Sequence, residues 1–202
     1  MTLPTFAEVL DTPGVVEESE LRSRFGVMAY HGGGLETMTD VIARAAAERA
    51  GASYYGVVHP EGWTVHLPST RVRPSQSARL RAFVDHVDVV VTVHGFGRRG
   101  LFTSLLLGGT NRELAGHVAG HLRTALPAYD IVDDLDRIPT ELRGVHPDNP
   151  VNVPRDAGVQ IELPPRVRGS SPLWWDWHEP IVPHTRSLID GLARAISSWP
   201  LD

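Results

Sequence analysis

Two stretches carry residue types that could do chemistry together. In residues 26–36, Gly-Val-Met-Ala-Tyr-His-Gly-Gly-Gly-Leu-Glu, a short apolar run stops at His31, three glycines follow, and Glu36 opens a helical pattern. In residues 87–95 a run of valines again ends on a histidine, His94, followed by Gly95. In open α/β sheets, ligands bind beyond the carboxyl ends of the strands. Glycines there let the backbone turn sharply and let another group come close. His31, Glu36 and His94 form a His, Glu, His set that leaves a fourth position open, the pattern of a catalytic zinc with three protein ligands. The competing reading is that each histidine ends a strand and bonds to nearby backbone. That would suffice for either one alone, but the repetition, the glycines and Glu36 together favour a metal.

A third position completes the chemistry. Glu162 lies in Gly158-Val159-Gln160-Ile161-Glu162-Leu163. A carboxylate in an apolar strand is costly unless it is paired, hydrogen-bonded or functional. Alternation puts Gln160 and Glu162 on one face and Val159, Ile161 and Leu163 on the other. Glu162 can serve as a general base beside a metal-activated water. An edge strand with one wet face is the alternative.

These residues need a scaffold of alternating elements, and the sequence supplies one. A modest helical signal at residues 6–10 and a polar link precede a strand over 27–30. A helix over 37–50 follows, with Met38, Val41, Ile42, Ala45 and Ala46 on its apolar stripe. Thr37 and Asp40 resemble a capping pair, and Gly51 is a stop. Strands are expected over 53–58, 64–67, 87–93, 102–107, 129–132 and 158–163. Helices are expected over 77–86, 111–126 and 182–198. No repeat or linker divides the chain, so residues 1–202 read as a single α/β domain with a mixed, mainly parallel sheet.

Composition narrows the function. The chain has 202 residues, 42% hydrophobic and 21% charged, as in an ordinary globular domain. No apolar run approaches the roughly 20 residues of a membrane span. The N-terminus lacks signal-peptide features, so a cytoplasmic protein is expected, with release by another route left open. The absence of cysteine excludes thiolate sites and disulfides. A net charge of −5 argues against a general nucleic-acid binder. All 19 basic residues are arginine, which excludes lysine chemistry.

His31-Gly32-Gly33-Gly34-Leu35-Glu36, Val93-His94-Gly95 and Gly158-Val159-Gln160-Ile161-Glu162-Leu163 together resemble the signature blocks of the poly-γ-glutamate hydrolase family. These phage-type enzymes cut the γ-linked glutamate polymer of bacterial capsules. Ser53-Tyr54-Tyr55, Val65-His66-Leu67-Pro68-Ser69-Thr70 and Gly108-Gly109 also fit, in the same order. The resemblance implies a fold similar to zinc carboxypeptidases, with helices on both faces of the sheet. It implies that His31, Glu36 and His94 bind one Zn²⁺ per chain and that Glu162 is the catalytic carboxylate. It also implies an anionic γ-glutamyl substrate. Departures at Pro68, where the family has Thr, and in Gly108-Gly109-Thr110-Asn111-Arg112 bear on the substrate pocket. Alternatives are a related zinc carboxypeptidase or amidase acting on a cell-wall or other γ-glutamyl peptide, or a non-catalytic metal-binding protein on the same scaffold.

Carboxylate recognition falls most naturally to arginine, whose planar fork binds carboxylates in a bidentate way. Arg112, at a helix start after Gly108-Gly109-Thr110, is the first candidate. An exposed helix-start arginine is the equal alternative. Arg98 and Arg99, soon after His94, could line the cleft; Arg71 and Arg73 read as solvated. His66 reads as a structural hydrogen-bonding residue that could support a metal ligand. His117 and His121 read as boundary residues of a helix. Trp174, Trp175 and Trp177 read as cover for a core edge or a contact surface.

Overall fold

The computed structural model describes residues 3–201. Its strands are β1 (Val16–Glu20), β2 (Phe25–Gly33), β3 (Ser53–His59), β4 (Val89–Gly95), β5 (Ser104–Leu107), β6 (Asp130–Val132) and β7 (Gly158–Leu163). Its helices are α1 (Phe6–Leu10), α2 (Thr39–Ala50), α3 (Ala78–His86), α4 (Arg112–Ala125), α5 (Pro165–Arg168) and α6 (Pro183–Ser198). All the strands join one sheet in the order β1-β3-β2-β4-β7-β5-β6. The β1–β3 and β5–β7 pairs are antiparallel and the other pairs parallel. This is the expected mixed, mainly parallel sheet of a single-domain α/β protein.

The valine run of β4 follows from its place in the middle of the sheet. A parallel strand covered on both faces has no polar side to alternate with. On one face α2, α4 and α6 pack over Val27, Ala29, Val91, Val93, Val159 and Ile161. On the other, α1 and α3 pack over Met28, Tyr30, Tyr55, Val57 and Val90. A small cluster of Phe96, Leu106, Val132 and Ile138 extends the core beside β5.

Three local expectations differ from the structure. The polar link before the first strand contains β1, whose Glu17, Glu18 and Glu20 suit an edge, where charge discourages pairing with another chain. Residues 64–67 form no strand and run as an irregular segment; the Leu67 carbonyl faces His31 instead of a ladder partner. The Thr37–Asp40 cap does not form. Helix α2 starts after Met38, which is left-handed at φ 74° and gives no side-chain cap. Asp40 instead accepts the Gly33 N–H at 3.0 Å. The stop at Gly51 is as expected, left-handed at φ 65°. Among the described residues, no helix is long and apolar enough to cross a membrane.

Candidate metal centre

Strand register brings the chemical residues together. His94 of β4 sits directly beside Glu162 of β7, and Thr92 beside Gln160. β2 runs parallel to β4 on its other side. His31 lies near the end of β2, where the register against β3 shifts between Ala29 and Gly32. Such irregularities re-aim a side chain. The His31 and His94 rings approach to 5.1 Å between centroids.

The glycines after His31 fold Glu36 back over the strand ends. Gly33 is left-handed at φ 66° and packs against the His59 backbone, while Gly34 lies against the Pro60 carbonyl. The Glu36 N–H then donates to the His31 carbonyl at 2.8 Å. A Cβ at Gly34 would run into the Pro60 oxygen. Gly34→Ala is therefore expected to cost about 1–3 kcal/mol, as overpacking does. Urea unfolding checks the loss.

Glu36 is the hub. Its Oε1 lies 3.1 Å from His31 Nδ1 and its Oε2 lies 3.3 Å from His94 Nδ1. The Gly95 N–H donates to Oε2 at 2.8 Å. His66 Nε2, on the irregular segment, reaches Oε1 at 3.4 Å. Donor atoms of His31, Glu36 and His66 all lie within 4.8 Å of one another. Burial would raise the Glu36 carboxyl, but His31 and His94 outweigh it and hold the carboxyl well below its usual range. Burial lowers His31 to about 4. Burial also acts to lower His94, yet the charge of Glu36 prevails and raises it.

The donor set fits a metal for a reason of proton counting. A neutral imidazole carries one N–H. His31 faces two acceptors, Glu36 Oε1 on Nδ1 and the Leu67 carbonyl on Nε2 at 2.9 Å. A carbonyl can only accept, so the proton belongs on Nε2. The Nδ1 lone pair then meets a carboxylate oxygen with no proton between them. A cation shared by the two atoms relieves that contact, and the Leu67 carbonyl orients the ring for it.

Glu162 is buried and accepts from Gln160 Nε2 at 2.9 Å. Burial raises its carboxyl to about 7. Behind the site runs Arg168, which the sequence reading did not single out. It is buried and donates to the Thr37 and Leu163 carbonyls, and Gly95 has no side chain to obstruct its guanidinium. The site opens into a cleft of about 530 Å³, lined by His31, His66, His94, Glu36 and Glu162 and walled by residues 68–70, 140–142 and 144–146. A cluster of donor atoms that could hold a metal, beside a carboxyl raised by burial, has the chemistry of metal-assisted hydrolysis.

The expected substrate arginines are not where the sequence suggested. Arg112 is excluded from the cleft because its guanidinium is committed to the Leu107, Gly109 and Asp133 carbonyls. Arg98 pairs with Glu141, which does line the cleft, at 2.6 Å. Arg99 is exposed in the same loop and does not line it. Among the described residues, no arginine lines the cleft. His66, expected as a structural residue that could support a metal ligand, lines the cleft and reaches Glu36. His117 and His121 bond Ser198 at 3.2 and 3.1 Å between α4 and α6, as boundary residues should. Trp174 packs edge-on to His184, whereas Trp175 is 84% exposed.

Known proteins resemble this chain over most of its length. The family model of poly-gamma-glutamate hydrolase matches residues 7–171. A bacteriophage poly-gamma-glutamate hydrolase superposes with a TM-score of 0.77 at 20% identity, over 93% of this chain and 91% of that one. A zinc-free apo form of YNDL superposes with a TM-score of 0.75 at 19% identity, over 95% and 94%. The SPbeta prophage-derived UPF0714 protein YoqZ of Bacillus subtilis is 27% identical over 146 residues, 72% of this chain and 50% of its own length. The chain thus spans about half the length of the curated relative it matches.

Proposed function

The chain belongs to the poly-gamma-glutamate hydrolase family, and from that premise we propose that it is a zinc-dependent hydrolase of γ-glutamyl amide bonds, with poly-γ-glutamate as substrate. The observation that carries the proposal is the Glu36 carboxylate shared between His31 Nδ1 and His94 Nδ1, with Glu162 next to His94 across the strand pair. His31, Glu36 and His94 hold the metal in this reading, and His66 stands at the mouth. A zinc ion bound there would polarise the scissile carbonyl and lower the pKa of water to roughly 7.

The remaining chemistry belongs to the chain. Glu162 takes the proton of the attacking water and returns it to the leaving amine. Its raised pKa suits both halves of that task, since a group titrating near the working pH can accept and donate. Gln160 fixes the orientation of the carboxylate through Oε1. Arg168 supplies a fixed positive charge behind Glu36 and Glu162.

One observation favours a second reading of the substrate. A polyanion asks for arginines in the cleft, and the lining has none. A γ-glutamyl peptide with fewer carboxylates, such as one from the cell wall, fits that lining better. Rates on the polymer and on short γ-glutamyl peptides separate the two readings.

Zinc content tests the site. Wild type and His66→Ala are expected to hold about one zinc per chain after reconstitution, and His31→Ala and His94→Ala to lose it. No uptake by wild type overturns the metal reading; loss in His66→Ala with retention in His94→Ala exchanges the third ligand.

A further inference from the structure

His94 and Glu162 are neighbours in the sheet, and a second path joins them through three neutral side chains. His94 Nε2 lies 3.0 Å from the Tyr30 hydroxyl, which donates to Asn149 Oδ1 at 3.3 Å. Asn149 Nδ2 donates to Gln160 Oε1 at 2.7 Å, and Gln160 Nε2 donates to Glu162 Oε1 at 2.9 Å. All five residues are buried.

The direction of this path is set by groups that cannot reverse. The Val151 N–H donates to Asn149 Oδ1 at 3.2 Å, so that atom is the oxygen and the amide nitrogen faces Gln160. The Leu142 carbonyl accepts from Gln160 Nε2 at 3.4 Å, so the Gln160 oxygen faces Asn149. Turning either amide alone would set oxygen against oxygen. Asn149 Oδ1 therefore needs the Tyr30 proton, and the Tyr30 oxygen is left to accept from His94 Nε2. The Ser69 hydroxyl lies close enough to Tyr30 to act on it, but it can rotate to either role and so does not set the direction.

We propose that Tyr30, Asn149 and Gln160 are positioning residues forming a one-way hydrogen-bonded path that holds both ends of the site in working form. At one end it keeps His94 as the Nε2–H tautomer, with the Nδ1 lone pair turned to Glu36 and the metal position. At the other it ties Glu162 through Oε1. The proposal rests on the assignment of His94 as a metal ligand and Glu162 as the base.

Two variants divide the path. Tyr30→Phe removes the acceptor for His94 and leaves the Glu162 end intact. Zinc affinity, read by chelator competition, should fall about 10–100-fold. Imidazole nitrogen NMR of the metal-free protein at alkaline pH should show His94 losing its preference for Nε2–H. Asn149→Asp still accepts from Tyr30 and Val151 but has no N–H for Gln160, which must turn its oxygen toward Glu162. The His94 tautomer should hold and zinc affinity should not fall, while the rate drops at least about tenfold. Unchanged zinc affinity and tautomer in Tyr30→Phe, or a wild-type rate in Asn149→Asp, overturns the proposal. A wild-type protein that neither binds zinc nor hydrolyses anything sinks the hydrolase reading instead. The tautomer in metal-free wild type still decides the path in that case: Nε2–H upholds it and Nδ1–H overturns it.

Discussion

Glu162→Gln is expected to lower hydrolysis by about 10²–10⁴-fold, the usual contribution of a positioned general base, while zinc content stays at the wild-type level. The substitution keeps the shape of the side chain and an oxygen to accept from Gln160 Nε2. It removes only the capacity to take a proton. A non-catalytic metal-binding protein on this scaffold predicts the opposite, with every measurable function intact.

The same variant carries a stability signature in chelator. The Glu162 carboxyl titrates at about 7 in the fold, against 4.5 in its ordinary state, because burial penalises the charge. A raised carboxyl favours the fold while protonated. Its contribution is therefore present below pH 4.5 and is lost as the pH climbs through about 7. The amide escapes that loss. Metal-free Glu162→Gln should gain on wild type across this window, by about 3 kcal/mol. Urea unfolding at several pH values reads the difference, and parallel curves for the two proteins would remove the buried-charge account.

Much of this site was legible because its residues stop apolar strands. Val27 and Val91 announce buried strands by composition, and histidines at the ends of two such strands fall at one edge of a parallel sheet. Alternation placed Gln160 with Glu162. What stayed hidden depends on partners far along the chain. Arg112 looked like a ligand for anions because it opens a helix, yet three backbone carbonyls claim its guanidinium. Nothing in the sequence marks Arg168, whose buried guanidinium lies where a Cβ at Gly95 would stand. Asn149 sits in a loop of prolines and aspartates, and its role comes from Tyr30, 119 residues away. Strand β1 was obscured by its own glutamates, since an edge strand needs backbone pairing and little apolar surface. Residues 64–67 have strand composition, but the carbonyl that a ladder would use is turned to His31.

Glu36→Gln should have the largest effect on the metal. In the proposed site this removes a direct ligand, so zinc affinity should fall by more than the roughly 10–100-fold typical of removing a ligand's hydrogen-bonding support. The metal-free fold should suffer much less. The new amide can still accept from the Gly95 N–H through its oxygen and can donate to the Nδ1 lone pair of His31, replacing the contact that wild type leaves without a proton. What it cannot replace is charge. Wild-type Glu36 has a lowered pKa, so its contribution is present above 4.5 and is lost as the pH falls through its folded value. His94 has a raised pKa, so its contribution is present below 6.5 and is lost as the pH rises through its own folded value. Both operate fully between pH 4.5 and 6.5. In chelator, wild type should therefore exceed Glu36→Gln in stability most within that window, and the gap should narrow toward alkaline pH as the His94 part is lost. Urea unfolding in chelator follows the gap, and chelator competition measures the zinc. A variant that held zinc as tightly as wild type would move the ion off this carboxylate, and the shared contacts of His31 and His94 would then be an ion-pair network without a metal.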